Sequence, residues 1–181
     1  MKLKIEEIPH SGFHLKKVLD ADSLMGISRD NRGVGFTFDA PISLDLKVAK
    51  SKRDVFIHGR IATRLIMKCS RCLGKFDYPL ISNFECIFSP SEYRSTTEDL
   101  ELEIQDLGLS FYQDEEIDIS EVVLEQIILD IPFKSLCHDN CRGLCNECGK
   151  DLNRDMCECS HKDVFNKGFS KLRDFKVESR K

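Results

Sequence analysis

No stretch of this 181-residue chain approaches the ~20 consecutive apolar residues that span a bilayer. Its start, Met1-Lys2-Leu3-Lys4-Ile5-Glu6-Glu7, carries no apolar leader, so the expected compartment is the cytoplasm, where thiols stay reduced. No internal repeat or low-complexity segment stands out. Glycine-rich phosphate loops and serine-nucleophile motifs are missing, and the five histidines (His10, His14, His58, His138, His161) are scattered. Hydrolytic and nucleotide-dependent chemistry therefore find little support, and a non-enzymatic protein with no membrane contact and no small-molecule substrate is expected. The net charge of −4 does not by itself announce a nucleic-acid binder.

Cysteine is what the chain has in excess. Six of nine lie between residues 137 and 159: Cys137, Cys141, Cys145, Cys148, Cys157 and Cys159. Such density implies either a disulfide framework or a thiolate metal site, and a reduced compartment favours the metal. Cys145-Asn146-Glu147-Cys148-Gly149 reads as a knuckle, with two thiolates spaced to grip one ion and a glycine that lets the backbone turn sharply. Cys157 and Cys159 return a second pair. For one zinc the ligands are Cys145, Cys148, Cys157 and Cys159, with Cys137 and Cys141 as alternates. A second ion requires the distant pair Cys69-Ser70-Arg71-Cys72 to join Cys137 and Cys141. A closed shell of four thiolates leaves no position for substrate, so the metal would be structural.

The hydropathy pattern predicts an α+β fold. Alternation from 41 to 88 predicts an antiparallel β-meander with one buried side: Ile42, Leu44, Leu46 and Val48, then Val55, Ile57, Ile61, Leu65 and Met67, then Phe76, Tyr78, Leu80, Phe84, Cys86 and Phe88. Gly59 reads as a bulge within the second strand. Residues 2–20 read as short strands, 22–26 as one helical turn and 29–35 as a loop. Residues 89–118 form an acidic loop ending in a short strand near 109–112: residues 91–118 hold one Lys/Arg against 10 Asp/Glu. Asp118 caps a buried helix over about 119–131, with Glu121 completing a capping box, Ile128 and Ile131 among its buried residues, and Pro132 stopping it. The chain thus divides into an α+β body at 1–136, a zinc-knuckle-like segment at 137–160, and a closing amphipathic helix and tail at 161–181, where Phe165, Phe169 and Leu172 recur at spacings of four and three.

Three signatures along residues ~40–175 resemble those of the YceD family. The first is Leu65 to Leu73 around Cys69 and Cys72, followed by Phe76 and Pro79. The second runs from Ile117-Asp118-Ile119 through Glu125-Gln126-Ile127-Ile128-Leu129-Asp130-Ile131-Pro132. The third is Cys137-x3-Cys141-Arg142-Gly143-Leu144-Cys145-x2-Cys148-Gly149-x-Asp151-Leu152-Asn153, closing with Cys157-x-Cys159. Asn146 stands where the family usually has proline, and some members carry the first cysteine pair without the later cluster. The resemblance implies a bacterial ribosome-biogenesis factor that supports accumulation of large-subunit (23S) ribosomal RNA, with that RNA or a pre-ribosomal particle as partner.

The residues suggest where RNA would touch. Residues 1–90 hold 15 Lys/Arg against 10 Asp/Glu. Lys52, Arg53, Arg60, Arg64, Lys68, Arg71 and Lys75 form a candidate phosphate-contacting set, since strand alternation turns several of them to one side. The plainer alternative is the solvated face of a half-exposed sheet. Two other roles stay open: a module whose acidic segment holds a basic ribosomal protein, and a thiol redox protein using Cys69 and Cys72. The second is disfavoured because the pair lies between strands rather than at a helix start.

Overall fold

The computed structural model describes residues 1–21, 24, 35–93 and 109–159. The closing helix, most of the expected helical turn at 22–26, most of the loop at 29–35, the middle of the acidic loop and His161 lie outside the described residues.

The architecture is α+β, with most of the strands antiparallel. A short β1 (Lys2–Lys4) leads through a 3-10 turn (Ile5–Glu7) to β2 (Phe13–Leu19). After β3 (Phe36–Phe38) come three long strands, β4 (Ile42–Ser51), β5 (Asp54–Lys68) and β6 (Lys75–Pro90). Then follow β7 (Leu109–Tyr112), β8 (Glu116–Asp118) and the helix α1 (Ile119–Asp130). The main sheet runs β2-β4-β5-β6-β7, and β3 pairs with β5 beyond the point where β4 starts. A separate ribbon pairs β1 with β8.

The expected alternation places the core. Ile42, Leu44, Leu46 and Val48 of β4 and Val55, Ile57, Ile61, Leu65 and Met67 of β5 are all buried, as are Leu80, Phe84 and Phe88 of β6. A two-residue turn, Lys52-Arg53, joins β4 to β5, with Lys52 in the left-handed region at φ 55. Helix α1 seals this side with Val122, Val123 and Ile127. Asp118 caps it by accepting from the Ser120 N–H at 2.9 Å, and the chain turns extended at Ile131, before Pro132.

Three details depart from the sequence reading, and one goes beyond it. Gly59 is not a bulge: the register runs unbroken through Leu46↔Gly59↔Phe84. It is glycine because a Cβ there would collide with the Phe84 ring. The antiparallel meander expected over 41–88 is present as β4, β5 and β6, and β7, whose direction the sequence does not indicate, pairs with β6 in parallel. A parallel neighbour needs a crossover of a dozen residues or more, which the 18 residues between Pro90 and Leu109 supply. Glu121 is exposed and makes no bond back to Asp118, so the cap is single. Ile128 is 43% exposed and Leu129 73%, so α1 is buried along one side only.

The longest strands matter most for the site. Strands β5 and β6 pair rung by rung from Val55↔Phe88 to Lys68↔Lys75, well past the last β4 rung at Ser43↔Ala62. The resulting arm carries the residues after Lys68 away from the middle of the sheet.

Candidate metal centre

The β5–β6 arm ends in a knuckle. The Cys69 N–H donates to the Gly74 carbonyl at 2.9 Å, the Leu73 N–H to the Cys69 carbonyl at 3.0 Å, and the Arg71 N–H to Cys69 Sγ at 3.4 Å. The same three bonds recur at the second knuckle. There the Cys145 N–H donates to the Lys150 carbonyl at 2.8 Å, the Gly149 N–H to the Cys145 carbonyl at 2.9 Å, and the Glu147 N–H to Cys145 Sγ at 3.4 Å. In both, the fourth residue after the leading cysteine is left-handed, Leu73 at φ 59 and Gly149 at φ 71. Glycine takes that conformation without steric cost and leucine does not, so Leu73 is held there by the bonds around it.

What each knuckle meets completes a set of four. The Ser70 N–H donates to the Ser135 carbonyl at 2.8 Å, which fastens the strand tip to the chain leaving α1. The Arg71 guanidinium donates to the carbonyls of Asp139 at 3.3 Å and Cys141 at 2.8 Å, closing the next loop over the tip. As a result Cys69, Cys72, Cys137 and Cys141 converge, and Cys145, Cys148, Cys157 and Cys159 form a second group. Within each, the sulfurs lie within 4.8 Å of one another. Sequence separations of about 70 residues are bridged in the first group, whereas the second is local.

Both groups fit a tetrahedral thiolate ion. Bonds of ~2.3 Å give a sulfur–sulfur edge of about 3.8 Å. The first group shows 3.7 Å for Cys69–Cys141 and 3.8 Å for Cys72–Cys137. The second is slightly tighter, at 3.5 Å for Cys148–Cys157 and 3.3 Å for Cys145–Cys157. All nine cysteines are free thiols, so the disulfide reading has no support in these distances. Each group could hold one metal ion.

The electrostatics agree with that reading. Burial pushes the Cys69 thiol up, but backbone hydrogen bonds from Cys72, Cys137 and Arg71 outweigh it and bring it down to about 6. Backbone hydrogen bonds from Cys148 and Glu147 bring Cys145 down to about 6 as well. Their neighbours move the other way. Burial, with hydrogen bonds from Cys141 and Cys69, pushes Cys137 up to about 12, and hydrogen bonds from Cys157 and Cys148 raise Cys159. Four sulfurs this close cannot all be thiolates unless a cation lies among them, and each knuckle already stabilises its first.

Other candidates fall outside these groups. His138 Nδ1 lies 3.1 Å from Cys137 Sγ, as a hydrogen-bond partner rather than a fifth ligand. Cys86 stands apart, half-buried against the core with Gln126 Nε2 3.9 Å from its sulfur, its thiol raised by burial.

The seven candidate phosphate contacts divide among three places. Arg60, Arg64, Lys68 and Lys75 are exposed on the outer side of β5 and β6, Arg60 opposite Asp45 of β4 and the other three on the arm. Arg64 pairs with Asp39 at 3.3 Å, while Arg60, Lys68 and Lys75 have no ion pair among the described residues. Lys68 and Lys75 stand directly opposite each other as the last rung. Arg71 is engaged with the carbonyls of the first cysteine group. Lys52 and Arg53 lie at the far end of β5, where Arg53 is held by Glu92 at 2.8 Å and Glu115 at 3.2 Å. The outer side also carries acids: Asp45 bonds to His14 and Lys16, and Glu85 lies 3.1 Å from His58.

Two contributors escaped the sequence reading, Arg71 as a clamp on backbone carbonyls and Asn153. The Asn153 side chain accepts from the Arg142 N–H at 2.7 Å and donates to Cys141 Sγ at 3.4 Å. One signal was available: Cys69-x2-Cys72-Leu73-Gly74-Lys75 and Cys145-x2-Cys148-Gly149-Lys150 are near-copies, differing by one inserted residue.

The description "Large ribosomal RNA subunit accumulation protein YceD" matches residues 57–176, about two thirds of the chain. The chain belongs to the YceD family. That match includes both cysteine groups and helix α1. Among relatives, the chloroplastic YCED homolog 1 of Arabidopsis thaliana is 23% identical over 177 residues, covering 83% of this chain and 53% of its own length. An uncharacterised protein of Mycobacterium leprae is 30% identical over 117 residues, 62% of this chain and 50% of its own. The YlbN protein of Bacillus subtilis, also uncharacterised, is 24% identical over 151 residues, 82% of this chain and 79% of its own. The chain thus spans about half the length of the plant and mycobacterial relatives. No solved structure matches it significantly. Among the described residues no helix is long and apolar enough to cross a membrane.

Proposed function

We propose that this chain is a non-catalytic ribosome-biogenesis factor, cytoplasmic, that supports the synthesis, processing or stability of large-subunit ribosomal RNA, with two structural zinc ions shaping its contact surface. The observation that carries the proposal is membership of a family described by large-subunit ribosomal RNA accumulation. A structural role for zinc is supported by the donor sets. Four thiolates close a tetrahedron and leave no open position for water or substrate, which argues against hydrolysis. Redox use of Cys69 and Cys72 is disfavoured because both belong to a four-cysteine group that fits an ion, where their sulfurs would be occupied as ligands.

Support for RNA contact comes from the arm. Like charges directly opposite on neighbouring strands repel, so the Lys68–Lys75 rung weakens the hairpin in isolation. A phosphate backbone would neutralise both ammonium groups and release counterions. Arg60 extends the same side, opposite Asp45 of β4 but with no ion pair among the described residues.

A second reading has one observation in its favour. A groove of about 500 Å³ between β7, β8 and α1 is lined by Asp114, Glu116, Asp118, Glu121 and Glu125. Such a lining suits a basic ribosomal protein. The two readings part on what co-purifies with the chain, RNA or a basic protein.

The main proposal is tested by depleting the protein and measuring the ratio of large- to small-subunit ribosomal RNA. A selective fall in the large-subunit species is expected. An unchanged ratio with normal processing would overturn it.

A further inference from the structure

The two cysteine groups are not independent. The segment 142–144, which joins the last ligand of the first group to the first ligand of the second, pairs with 151–153. Leu144 and Asp151 form a bridge, and the Leu152 N–H donates to the Gly143 carbonyl at 2.9 Å. Residues 151–153 belong to the eight-residue loop between Cys148 and Cys157, both in the second group. From that loop Asn153 reaches across. Its Oδ1 accepts from the Arg142 N–H, next to Cys141, and its Nδ2 donates to the sulfur of Cys141 in the first group. The amide is itself oriented, because Asp151 Oδ1 accepts from the Asn153 N–H at 3.0 Å and from Nδ2 at 2.6 Å. Gly143, at φ 74, lies against Arg71, where a Cβ would sit 3.2 Å from the Arg71 carbonyl oxygen. The first knuckle therefore touches the linking segment from the other side.

We propose that Asn153 couples the two metal sites, so that they fill and empty as one unit. This rests on the reading that both groups bind metal. An ion in the second site closes the 148–157 loop at both ends. The closed loop then holds Asn153 where its N–H can stabilise the Cys141 thiolate as a ligand of the first ion. Without that ion the loop must be ordered by its own few hydrogen bonds, and closing it costs chain entropy. By linkage the first ion favours the second by the same factor. Outer-shell partners of this kind alter metal affinity about 10–100-fold when replaced. Asn153 is exposed on its outer side, so substituting it removes hydrogen bonds and no buried apolar surface.

The test is zinc release from the full chain against a competing chelator. Two reference variants report the sites singly: C148S/C157S keeps the first, and C72S/C137S keeps the second. Coupling predicts that the wild-type chain releases two ions in one steep step. Each should be held at least about 10-fold more tightly than in the variant that has that site alone. Asn153→Ala should split release into two steps, with the first site weakened by a similar factor. Asn153→Asp keeps the acceptor for Arg142 but loses the donor to Cys141, and should behave like the alanine variant. Two ions leaving independently, or an Asn153→Asp chain that behaves as wild type, would overturn the coupling and leave the metal reading standing. A chain that binds no zinc would overturn the metal reading itself. A single ion, unchanged in C72S/C137S, would remove the two-site reading and the coupling with it.

Discussion

Stripping the metal should separate this chain into two parts of very different stability. Residues 137–159 contain almost no apolar core: only Cys141, Gly143 and Cys145 are buried, while Met156 is 87% exposed. Besides a handful of loop hydrogen bonds, what gathers them is eight sulfurs in two groups, counting Cys69 and Cys72 on the arm, each group fit to hold an ion. A structural zinc in a thiolate site is worth about 10–16 kcal/mol of apparent binding energy at neutral pH. Backbone order costs roughly 1–2 kcal/mol per residue. With no hydrophobic term to offset that cost across 23 residues, the segment has no other source of comparable size. The sheet has one: its buried side carries a continuous cluster from Ile42 to Ile127.

Hydrogen exchange with and without chelator measures this directly. Amide protection should collapse in 137–159 and at 69–74, while the strand interiors from 43 to 62 and 79 to 88 change little. Thiol titration adds a count. With two ions eight of the nine cysteines are masked, and Cys86 is the exception; with one ion only four are masked. Equal loss of protection in the sheet and in 137–159 would refute the reasoning, because it would mean that the metal segment carries the β-body rather than resting on it.

Three further outcomes follow from particular residues. Gly59→Ala should destabilise the body by about 1–3 kcal/mol in urea melts, since the new methyl group must displace the buried Phe84 ring; pairing it with Phe84→Leu should recover part of the loss, and a neutral Gly59→Ala would refute the clash. Charge reversal at Arg60 and Lys68 should lower RNA crosslinking and shallow its salt dependence by about one phosphate contact per residue, and unchanged crosslinking would remove the arm as the contact surface. Bonding to Arg53 holds the Glu92 carboxyl below its ordinary value, so this contact is present above the unfolded glutamate range and is lost as pH falls through the lowered value; a carboxyl titration should show the low midpoint, and Arg53→Gln should return it to normal.

The sheet was legible because burial on one side imposes a period of two, and β4, β5 and β6 are long enough to display it. Strand direction was not. The four residues of β7 have the same pattern whether they run with or against β6, and only the path of the preceding chain decides it. Gly59 carries a related ambiguity: a glycine inside a strand marks either a backbone irregularity or a close approach from the next strand. Sequence does not say which until Phe84 is placed opposite. Helix α1 is buried less far round than its apolar residues suggest, because Ile128 is apolar yet exposed while Ile131 packs against the core.

The metal centre shows the same division between count and placement. Eight cysteines with ligand spacing allowed two sites of four, and the local set at 145–159 could be proposed from spacing alone. The set of Cys69, Cys72, Cys137 and Cys141 needed the β5–β6 arm to carry one pair to the other, a contact across about 70 residues that no local pattern encodes. Once the arm is in place its length has a purpose. It extends beyond the last β4 rung, so the first cysteine group, the Lys68–Lys75 rung and the second knuckle gather at one end of the molecule. The hydrophobic core runs along the same strands as far as Leu65 and Met67 and stops short of the cysteines. On the proposed two-ion reading, such a chain should lose or gain its metal without unfolding its body. That makes occupancy of the thiolate sites, rather than global stability, the quantity to vary when testing what the tip recognises.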